Sequence, residues 1–283
     1  VKFSIIIPAY NNRHQLVELL KTLEEQNYTE PFETIIVDQS DIKESPVEIS
    51  RGPCQWLQME GTGAARSRNL AIRQAGGDYM VLVDADGRFR NYTLQKLDMI
   101  TKNNPDYDAI CGMCLNMEDG KPFSRYADFK TRPVNFDNYM GCLGTAMAIK
   151  RESLLKVGLL DENLGTGGRY GSGEETDLVL RILESGGRLL YHSWFQVFHP
   201  RISTDMPLRS WTIKHYHYGI GYGALLRKHL PIKPMWVFKH CILMILMPLA
   251  GVLTEILRLR LRQALRYAMS IIGRVYGFIS YKA

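Results

Sequence analysis

Several familiar signatures are missing from this 283-residue sequence. The segment after Lys2, Phe3-Ser4-Ile5-Ile6-Ile7-Pro8, is too short for the apolar core of a signal peptide, so no export leader is expected there. Cysteine is scarce: Cys54, Cys111, Cys114, Cys142 and Cys241 make an odd count of five, which offers no disulfide framework and suits a reducing cytosol. Cys111 and Cys114 form a lone CxxC with no second pair, so core packing is expected there rather than zinc or redox chemistry. Gly61-Thr62-Gly63 lacks the third glycine of a dinucleotide fingerprint and follows the wrong strand, and there is no P-loop. The uncharged apolar run Cys241 to Leu253 has 13 residues, broken by Pro248 and Gly251. A spanning helix needs about 20. Acids nearly vanish past Thr204, where only Asp205 and Glu255 stand against twelve lysines and arginines.

What is present is the composition of a folded globular chain, 46% hydrophobic and 23% charged. The length fits one large domain, or one domain with an appendage. The overall charge of +6 divides into +10 after Thr204 and −4 before it. A mildly acidic body with a strongly basic end is not the uniform charge of a nucleic-acid-binding protein, and no nucleic-acid partner is expected. It suits a body held against an anionic surface.

Ser4-Ile5-Ile6-Ile7-Pro8 reads as a buried strand stopped by proline. Asn11 or Asn12 can cap the helix that follows, whose Leu16, Leu19, Leu20 and Leu23 recur at helical spacing. Glu33 to Asp38 is a second strand ending in an acid. This βαβ opening predicts a parallel sheet with ligands at the carboxyl ends of its strands. Trp56 to Gln58 is a weak third strand, and Ala64 to Gln74 a helix carrying Arg66 and Arg68, placed to reach a phosphate. Helix is expected at Leu94 to Thr101 and from Ser153 to Val157. Strands are expected at Ala109 to Leu115, Leu143 to Ile149, Leu189 to His192 and Gln196 to His199. The polar, aromatic segment Lys121 to Tyr139 reads as irregular, of the kind that forms acceptor pockets or lids.

Two acidic clusters stand out. Met80-Val81-Leu82-Val83 is a buried strand that runs into Asp84-Ala85-Asp86-Gly87. At a strand end, two carboxylates before a glycine can turn toward one hard divalent cation, Mg²⁺ or Mn²⁺. The second cluster is Gly171-Ser172-Gly173-Glu174-Glu175-Thr176-Asp177. Acids at a helix N-terminus favour the dipole, but the glycine-rich approach asks for more than that. His199, at a strand end beyond both clusters, is a candidate ligand.

In this order the features resemble glycosyltransferase family 2. The matching pieces are Ser4 to Asn11, the strand ending at Asp38, Arg68-Asn69-Leu70-Ala71-Ile72, Ala75 to Tyr79, Asp84-Ala85-Asp86, Gly158 to Glu162, and Glu174 to Leu178. They cover about the first two hundred residues. The resemblance implies an α/β fold of the GT-A type: a Rossmann-like mixed, mainly parallel sheet flanked by helices, here with a C-terminal helical extension. A catalytic domain is expected at 1–204, and the charge and apolar pattern of the remainder reads as a basic, apolar helical extension at 205–283. Pro8, Ala9, Tyr10 and Asp38 would hold the base and ribose of a nucleotide-sugar donor, and Arg68 would lie near the nucleotide. Asp84 and Asp86 would be the metal pair. Asp86 would ligate directly, and Asp84 either ligate, act through water or contact ribose. His199 would be a further ligand, with His192 its competitor. Glu175 would be the general base of an inverting displacement, with Glu174 the alternative, and Asp177 an orienting or acceptor-site residue. The donor is expected to be a UDP-sugar, the cofactor Mn²⁺ or Mg²⁺, and the acceptor a saccharide or lipid-linked saccharide.

From Arg209 on, aromatic and basic residues interleave, and Leu257, Leu259, Leu261 and Leu265 alternate with Arg258, Arg260, Arg262 and Arg266. That pattern favours peripheral contact through 234–283 with the inner face of a membrane. Packing on the body, a homo-oligomer contact and a true or re-entrant span are the alternatives. Two rival functions are a non-catalytic nucleotide-sugar-binding scaffold and a sugar nucleotidyltransferase. The second would use a glycine-rich basic phosphate loop, which Pro8-Ala9-Tyr10-Asn11-Asn12 is not.

Overall fold

The computed structural model describes residues 1–42, 46–47, 49–201 and 206–282. Its contacts divide the chain into two units. The expected boundary between residues 204 and 205 lies outside the described residues.

The first unit comprises Val1–Leu160 and Leu178–Arg201. Its elements, in chain order, are β1 (Phe3–Ala9), α1 (Arg13–Glu24), β2 (Glu33–Asp38), β3 (Cys54–Gln58), α2 (Ala64–Gln74), β4 (Tyr79–Leu82), β5 (Arg88–Phe89), α3 (Thr93–Asn103), β6 (Ala109–Asn116), β7 (Arg132–Val134), β8 (Met147–Lys150), α4 (Arg151–Val157), the later part of α5 (Glu174–Glu184) and β9 (Leu189–His199). The sheet order is β3-β2-β1-β4-β8-β6-β9-β5, with β7 also on β9. Strands β3, β2, β1 and β4 are mutually parallel, β8 is antiparallel to both neighbours, and β9 is parallel to β6. Ile5-Ile6-Ile7, Ile35-Ile36-Val37 and Met80-Val81-Leu82 are wholly buried, as near-continuous apolar runs are when helices cover both faces of a sheet. Leu16, Leu19, Leu20 and Leu23 of α1 join that core.

Three local expectations are revised. The two short strands expected at 189–192 and 196–199 are one strand, β9, whose register against β6 shifts between Gly112 and Met113. The segment 121–139 is not wholly irregular, because Arg132–Val134 pairs with β9. Strand β8 begins only at Met147, after a tight turn at Gly144–Ala146. Cys111 and Cys114 are buried on β6, three residues apart and therefore on opposite faces. A hydrogen bond with Cys142 and burial push the Cys111 thiol well above its ordinary pKa.

The second unit combines Asp161–Asp177 with the helices α6 (Leu208–His229), α7 (Pro234–Leu257) and α8 (Leu261–Ser280). One apolar cluster joins Leu164, Tyr170, Ile220, Ala224 and Tyr281. Close backbone approach adds to it. Gly219 and Gly223 of α6 face Gly273 and Gly277 of α8. A Cβ added at Gly223 would lie 2.0 Å from the Arg274 carbonyl oxygen, and one at Gly277 2.0 Å from that of Ile220. Two glycines four apart on each helix let the backbones touch, as in small-xxx-small helix pairs.

Buried and half-buried ions add a second tie. Lys228 Nζ lies 2.7 Å from Asp161 and 2.8 Å from Asp177, and His229 Nε2 lies 3.1 Å from Asp177. The Tyr281 hydroxyl donates to Asp161 at 3.3 Å. Burial pushes the Asp161 carboxyl up, but Lys228 and the Asn163 N–H outweigh it and hold the group below its ordinary pKa. Its stabilising effect is therefore complete above the ordinary carboxylate range and disappears as pH falls through the lowered value.

Helix α7 extends well past the uncharged run 241–253, taking in Lys239 and Glu255. Pro248 lies inside it; having no N–H, it cannot bond the Met244 carbonyl one turn back. Arg274 of α8 donates to that carbonyl instead. The helix ends in a Schellman arrangement: Arg260 N–H donates to Glu255 O and Leu259 N–H to Ile256 O. The position that usually holds glycine is Leu259, at φ 58°. A leucine in the left-handed region costs about 1 kcal/mol.

Two stability outcomes are expected. Gly223→Val or Gly277→Val forces the α6–α8 crossing apart and costs at least about 2 kcal/mol, read as a lowered thermal midpoint. Lys228→Met leaves two carboxylates without their shared cation and costs about 3 kcal/mol, with partial recovery in Lys228→Met/Asp177→Asn; a denaturant titration of the three chains measures both effects.

Candidate active site

The carboxyl ends of strands β1, β2, β4 and β9 carry Ala9, Asp38, Asp84, Asp86 and His199. Ala9 and Asp38 are direct partners in the β1–β2 register, so the ends of the two strands lie side by side. Asp38 is buried, accepting from Gln58 Nε2 at 3.1 Å and from Ser40 N–H at 2.9 Å. Pro8 lies within β1, and Tyr10, just past its end, is exposed. Asn12 takes the N-cap position of α1 but does not cap it with its side chain. Its Oδ1 accepts from Tyr10 N–H at 3.1 Å instead. Asn11 is left-handed, φ 50°, a conformation asparagine tolerates. It ties the two loops together, donating from Nδ2 to Asp41 at 2.7 Å and from N–H to Ser40 Oγ at 2.9 Å. A cleft beside them is lined by Ala9, Arg13, Asp38, Ser40 and Trp56, with the Arg13 guanidinium 5.9 Å from the Trp56 ring.

The two arginines of α2 part company. Arg66 is exposed and donates to the Glu60 carbonyl at 3.1 Å. Arg68 is buried and reaches Asp84 at 2.6 Å. Asn69 beside it makes a reciprocal pair with the backbone of Leu160, at 2.9 and 3.0 Å. That pairing gives the Arg68-Asn69 and Gly158-to-Glu162 segments a common structural purpose.

Asp84 and Asp86 lie in the turn after β4. Gly87 N–H closes that turn on the Asp84 carbonyl at 2.7 Å, and a Cβ on Gly87 would come within 2.8 Å of Val83. The chain then re-enters the sheet as β5, where Arg88 pairs with Phe198 and Phe89 with Val197. This two-residue strand brings Asp86 next to the end of β9. His199 Nε2 lies 3.1 Å from Asp86 and 3.9 Å from Asp84. His199 Nδ1 is 2.8 Å from the Pro200 carbonyl. A carbonyl only accepts, so Nδ1 carries the proton and Nε2 faces the acids, the orientation a histidine ligand needs. The Phe123 ring packs edge-on against the imidazole at 5.1 Å.

One oxygen from each aspartate and a His199 nitrogen all lie within 4.8 Å of one another, the group of this kind found among the described residues. Burial lowers the His199 pKa, but the hydrogen bond and charge of Asp86, with the charge of Asp84, raise it further than burial depresses it. Burial likewise pushes Asp86 up, and His199 brings it down below its ordinary value. The two carboxylates are hard oxygen donors of the kind that suit Mg²⁺ and Mn²⁺, and the imidazole adds a nitrogen donor. His192, the competing histidine, lies back along β9, where burial lowers its pKa and it accepts from Trp194 N–H at 3.3 Å.

The second acidic cluster opens α5, with Glu174, Glu175 and Asp177 in its first turn. Glu174 and Asp177 are buried, whereas Glu175 is half-buried. Gly165 admits the Glu174 side chain, because a Cβ there would lie 2.7 Å from Glu174 Cδ. Asp177 contacts Lys228 and His229, an ionic role that the orienting or acceptor-site expectation did not include. Asn11 was expected only as a helix cap or strand-end residue, and Asp41 and Lys228 carried no signal in the sequence; the structure gives Asn11 and Asp41 a shared hydrogen bond and Lys228 two carboxylate partners.

The sequence of the chain matches the model of glycosyl transferase family 2 over residues 4–158. It is 33% identical over 209 residues to the amylovoran biosynthesis glycosyltransferase AmsB of Erwinia amylovora, covering 66% of this chain and 65% of AmsB. It is 30% identical over 189 residues to an uncharacterized glycosyltransferase of Haemophilus influenzae, covering 64% of this chain and 62% of the relative. The chain thus spans somewhat under two thirds of these relatives. Over 102 residues it is 31% identical to the poly(ribitol-phosphate) β-N-acetylglucosaminyltransferase TarS of Staphylococcus aureus, matching 34% of this chain and 18% of TarS. Among solved structures, the mannosyltransferase PcManGT of Pyrobaculum calidifontis, in complex with GDP-Man and Mn²⁺, superposes with a TM-score of 0.66 at 17% identity, covering 98% of this chain and 86% of that one. TarS 1–349 in complex with UDP-GlcNAc gives 0.59 at 16% identity, covering 94% and 90%. These likenesses bear out the expected GT-A arrangement of a mixed sheet, flanking helices and C-terminal helices. A family match spanning more than half of the sequence, on a fold shared with sugar transferases, makes the chain a member of glycosyl transferase family 2.

Proposed function

We propose that the chain is a metal-dependent, inverting glycosyltransferase that moves a sugar from a nucleoside-diphosphate donor, a UDP-sugar, to a hydroxyl of a saccharide or lipid-linked saccharide during polysaccharide biosynthesis. The carrying observation is the convergence of Asp84, Asp86 and His199 at one strand end, with Arg68 on Asp84. The name of AmsB and the nucleotide-sugar complexes of TarS and PcManGT support the substrate class.

Each residue has a part in this reading. Asp38 and the end of β1 receive the base and ribose, with the Asp38 carboxylate as an acceptor for a base N–H. Asp86 and His199 Nε2 hold Mn²⁺ or Mg²⁺, with Asp84 as third ligand or ribose contact. A divalent cation there supplies charge neutralisation for the leaving diphosphate. Glu175 takes the proton of the acceptor hydroxyl as its oxygen bonds to the anomeric carbon and the bond to the β-phosphate oxygen breaks. Its half-buried side chain is more open than that of Glu174, which favours it as the base, and Asp177 holds the helix start through its ion pairs. One displacement inverts the anomeric centre with no covalent intermediate. We place the chain at the cytoplasmic face of a membrane as a peripheral protein, where lipid-linked acceptors are concentrated.

Three outcomes test this reading. Incubation with a panel of sugar nucleotides and Mn²⁺ is expected to release nucleoside diphosphate; release of pyrophosphate would identify a nucleotidyltransferase instead, and Asp86→Asn should abolish the metal response. Glu175→Gln is expected to lower kcat by about 10²–10⁴ while leaving donor affinity within about twofold. Full turnover in that variant, with the loss appearing in Glu174→Gln, would move the base by one residue. Because imidazole ligates only when neutral, affinity for Mn²⁺ should climb as pH rises through the raised pKa of His199. Calorimetric titrations at about pH 6 and about pH 8 compare the two states, and identical affinities would remove His199 from the ligand set.

A further inference from the structure

Helix α7 is, among the described residues, the one helix long and apolar enough to cross a membrane by length and composition, yet only 11% of its most apolar window is buried. Its exposed side chains include Met235, Phe238, Leu246 and Leu253. The turn that joins it to α8 continues this surface in an unusual way. Leu257, Leu259 and Leu261 are 84%, 86% and 68% exposed, and they alternate with Arg258 and Arg260, which are exposed too. Leu259 occupies the left-handed position where a helix normally ends on glycine. A glycine there would be easier for the backbone and easier in water, so the fold presents a strained leucine to the outside.

The charge pattern says what this tip would meet. Arg258 and Arg260 flank the central leucine, and Arg266 lies one turn into α8. Arg262 is turned inward, donating to the Met206 carbonyl at 2.6 Å with its guanidinium 4.9 Å from the Trp211 ring. Apolar side chains ringed by arginines complement acyl chains beneath a layer of lipid phosphates. A spanning α7 would carry Arg258 and Arg260 to the far side. It would also send α8 back through the hydrocarbon with Arg262, Arg266 and Arg274, although α8 is bound to α6 by the glycine crossing. Arg274 meanwhile serves the carbonyl freed by Pro248. A helix that lies in the interface leaves all of these contacts in place.

We propose that the α7–α8 hairpin is an interfacial anchor that lies in the plane of an anionic bilayer leaflet, with Leu257, Leu259 and Leu261 inserted among acyl chains and Arg258 and Arg260 on lipid phosphates. This rests on the membrane part of the proposed function and is independent of the sugar-transfer reading.

Flotation of the full chain with vesicles of phosphatidylcholine alone, or with about 30% phosphatidylglycerol, tests it. Binding to the anionic vesicles is expected to exceed binding to the neutral ones by about tenfold and to fall as salt is raised. Leu257→Ser/Leu259→Ser/Leu261→Ser should lose about tenfold or more in binding, and Arg258→Gln/Arg260→Gln should lose the anionic preference, with donor hydrolysis unchanged in both. If the chain floats but these variants float equally well, the hairpin is not the anchor although the membrane reading stands. If the native chain floats with neither vesicle and sediments as a dimer, both fall while the transferase assay is unaffected. Leu259→Trp with brominated lipids gives a readout that does not depend on losing binding. Added quenching, relative to the native chain, is expected from bromines near the glycerol backbone. Quenching greatest at the bilayer centre, or none, overturns the in-plane anchor.

Discussion

Two negative charges sit one residue apart at the end of β4, and much of the first unit answers to that fact. Carboxylate oxygens separated by less than about 5 Å repel by roughly 1–3 kcal/mol once solvent screening is allowed for. The chain offsets this from two sides. Arg68 comes from α2, buried, onto Asp84, and His199 comes from the end of β9 onto Asp86. Neither arrives by local folding. Arg68 is fixed by the helix after β3, and His199 by the pairing of β9 with both β6 and the short β5. The site is therefore a product of sheet order: moving β9 by one register would leave Asp86 without its partner.

Much of this could be read from the sequence. The strands ending at Ala9, Asp38 and the Asp84 turn are continuous apolar runs, and a buried parallel strand needs little more than that. The helices α1 and α2 carry their periodicity openly. Arg68 was separable from Arg66 only through resemblance, since both occupy the same helix and their different burial is a tertiary fact. What stayed hidden depends on contacts between distant residues. A two-residue strand such as β5 has no pattern of its own. The continuity of β9 is masked by the irregular Ser193-Trp194-Phe195 insertion. The grouping of Asp161–Asp177 with the C-terminal helices rests on contacts such as Lys228 with both aspartates and Tyr170 with Ser280, which join residues far apart in the chain.

The second unit is held by more than apolar burial. Beside the cluster of Leu164, Tyr170, Ile220, Ala224 and Tyr281, four glycines bring the α6 and α8 backbones into direct contact. The ion pairs of Lys228 and His229 with Asp161 and Asp177 add a tie that is sensitive to pH and to the loss of a single partner. The same unit leaves a broad apolar surface exposed along α7, including Met235, Phe238, Leu246 and Leu253.

Pro248 and Arg274 have a consequence for how the chain can vary. Each is awkward alone: a proline within a helix orphans a carbonyl, and an arginine turned toward an apolar helix needs an acceptor. Together they meet: one guanidinium N–H of Arg274 takes the carbonyl that Pro248 frees. Neither position is free to drift by itself, so a lineage that replaces the arginine by an apolar residue has reason to restore an N–H at the proline, and the two sites should exchange as a pair.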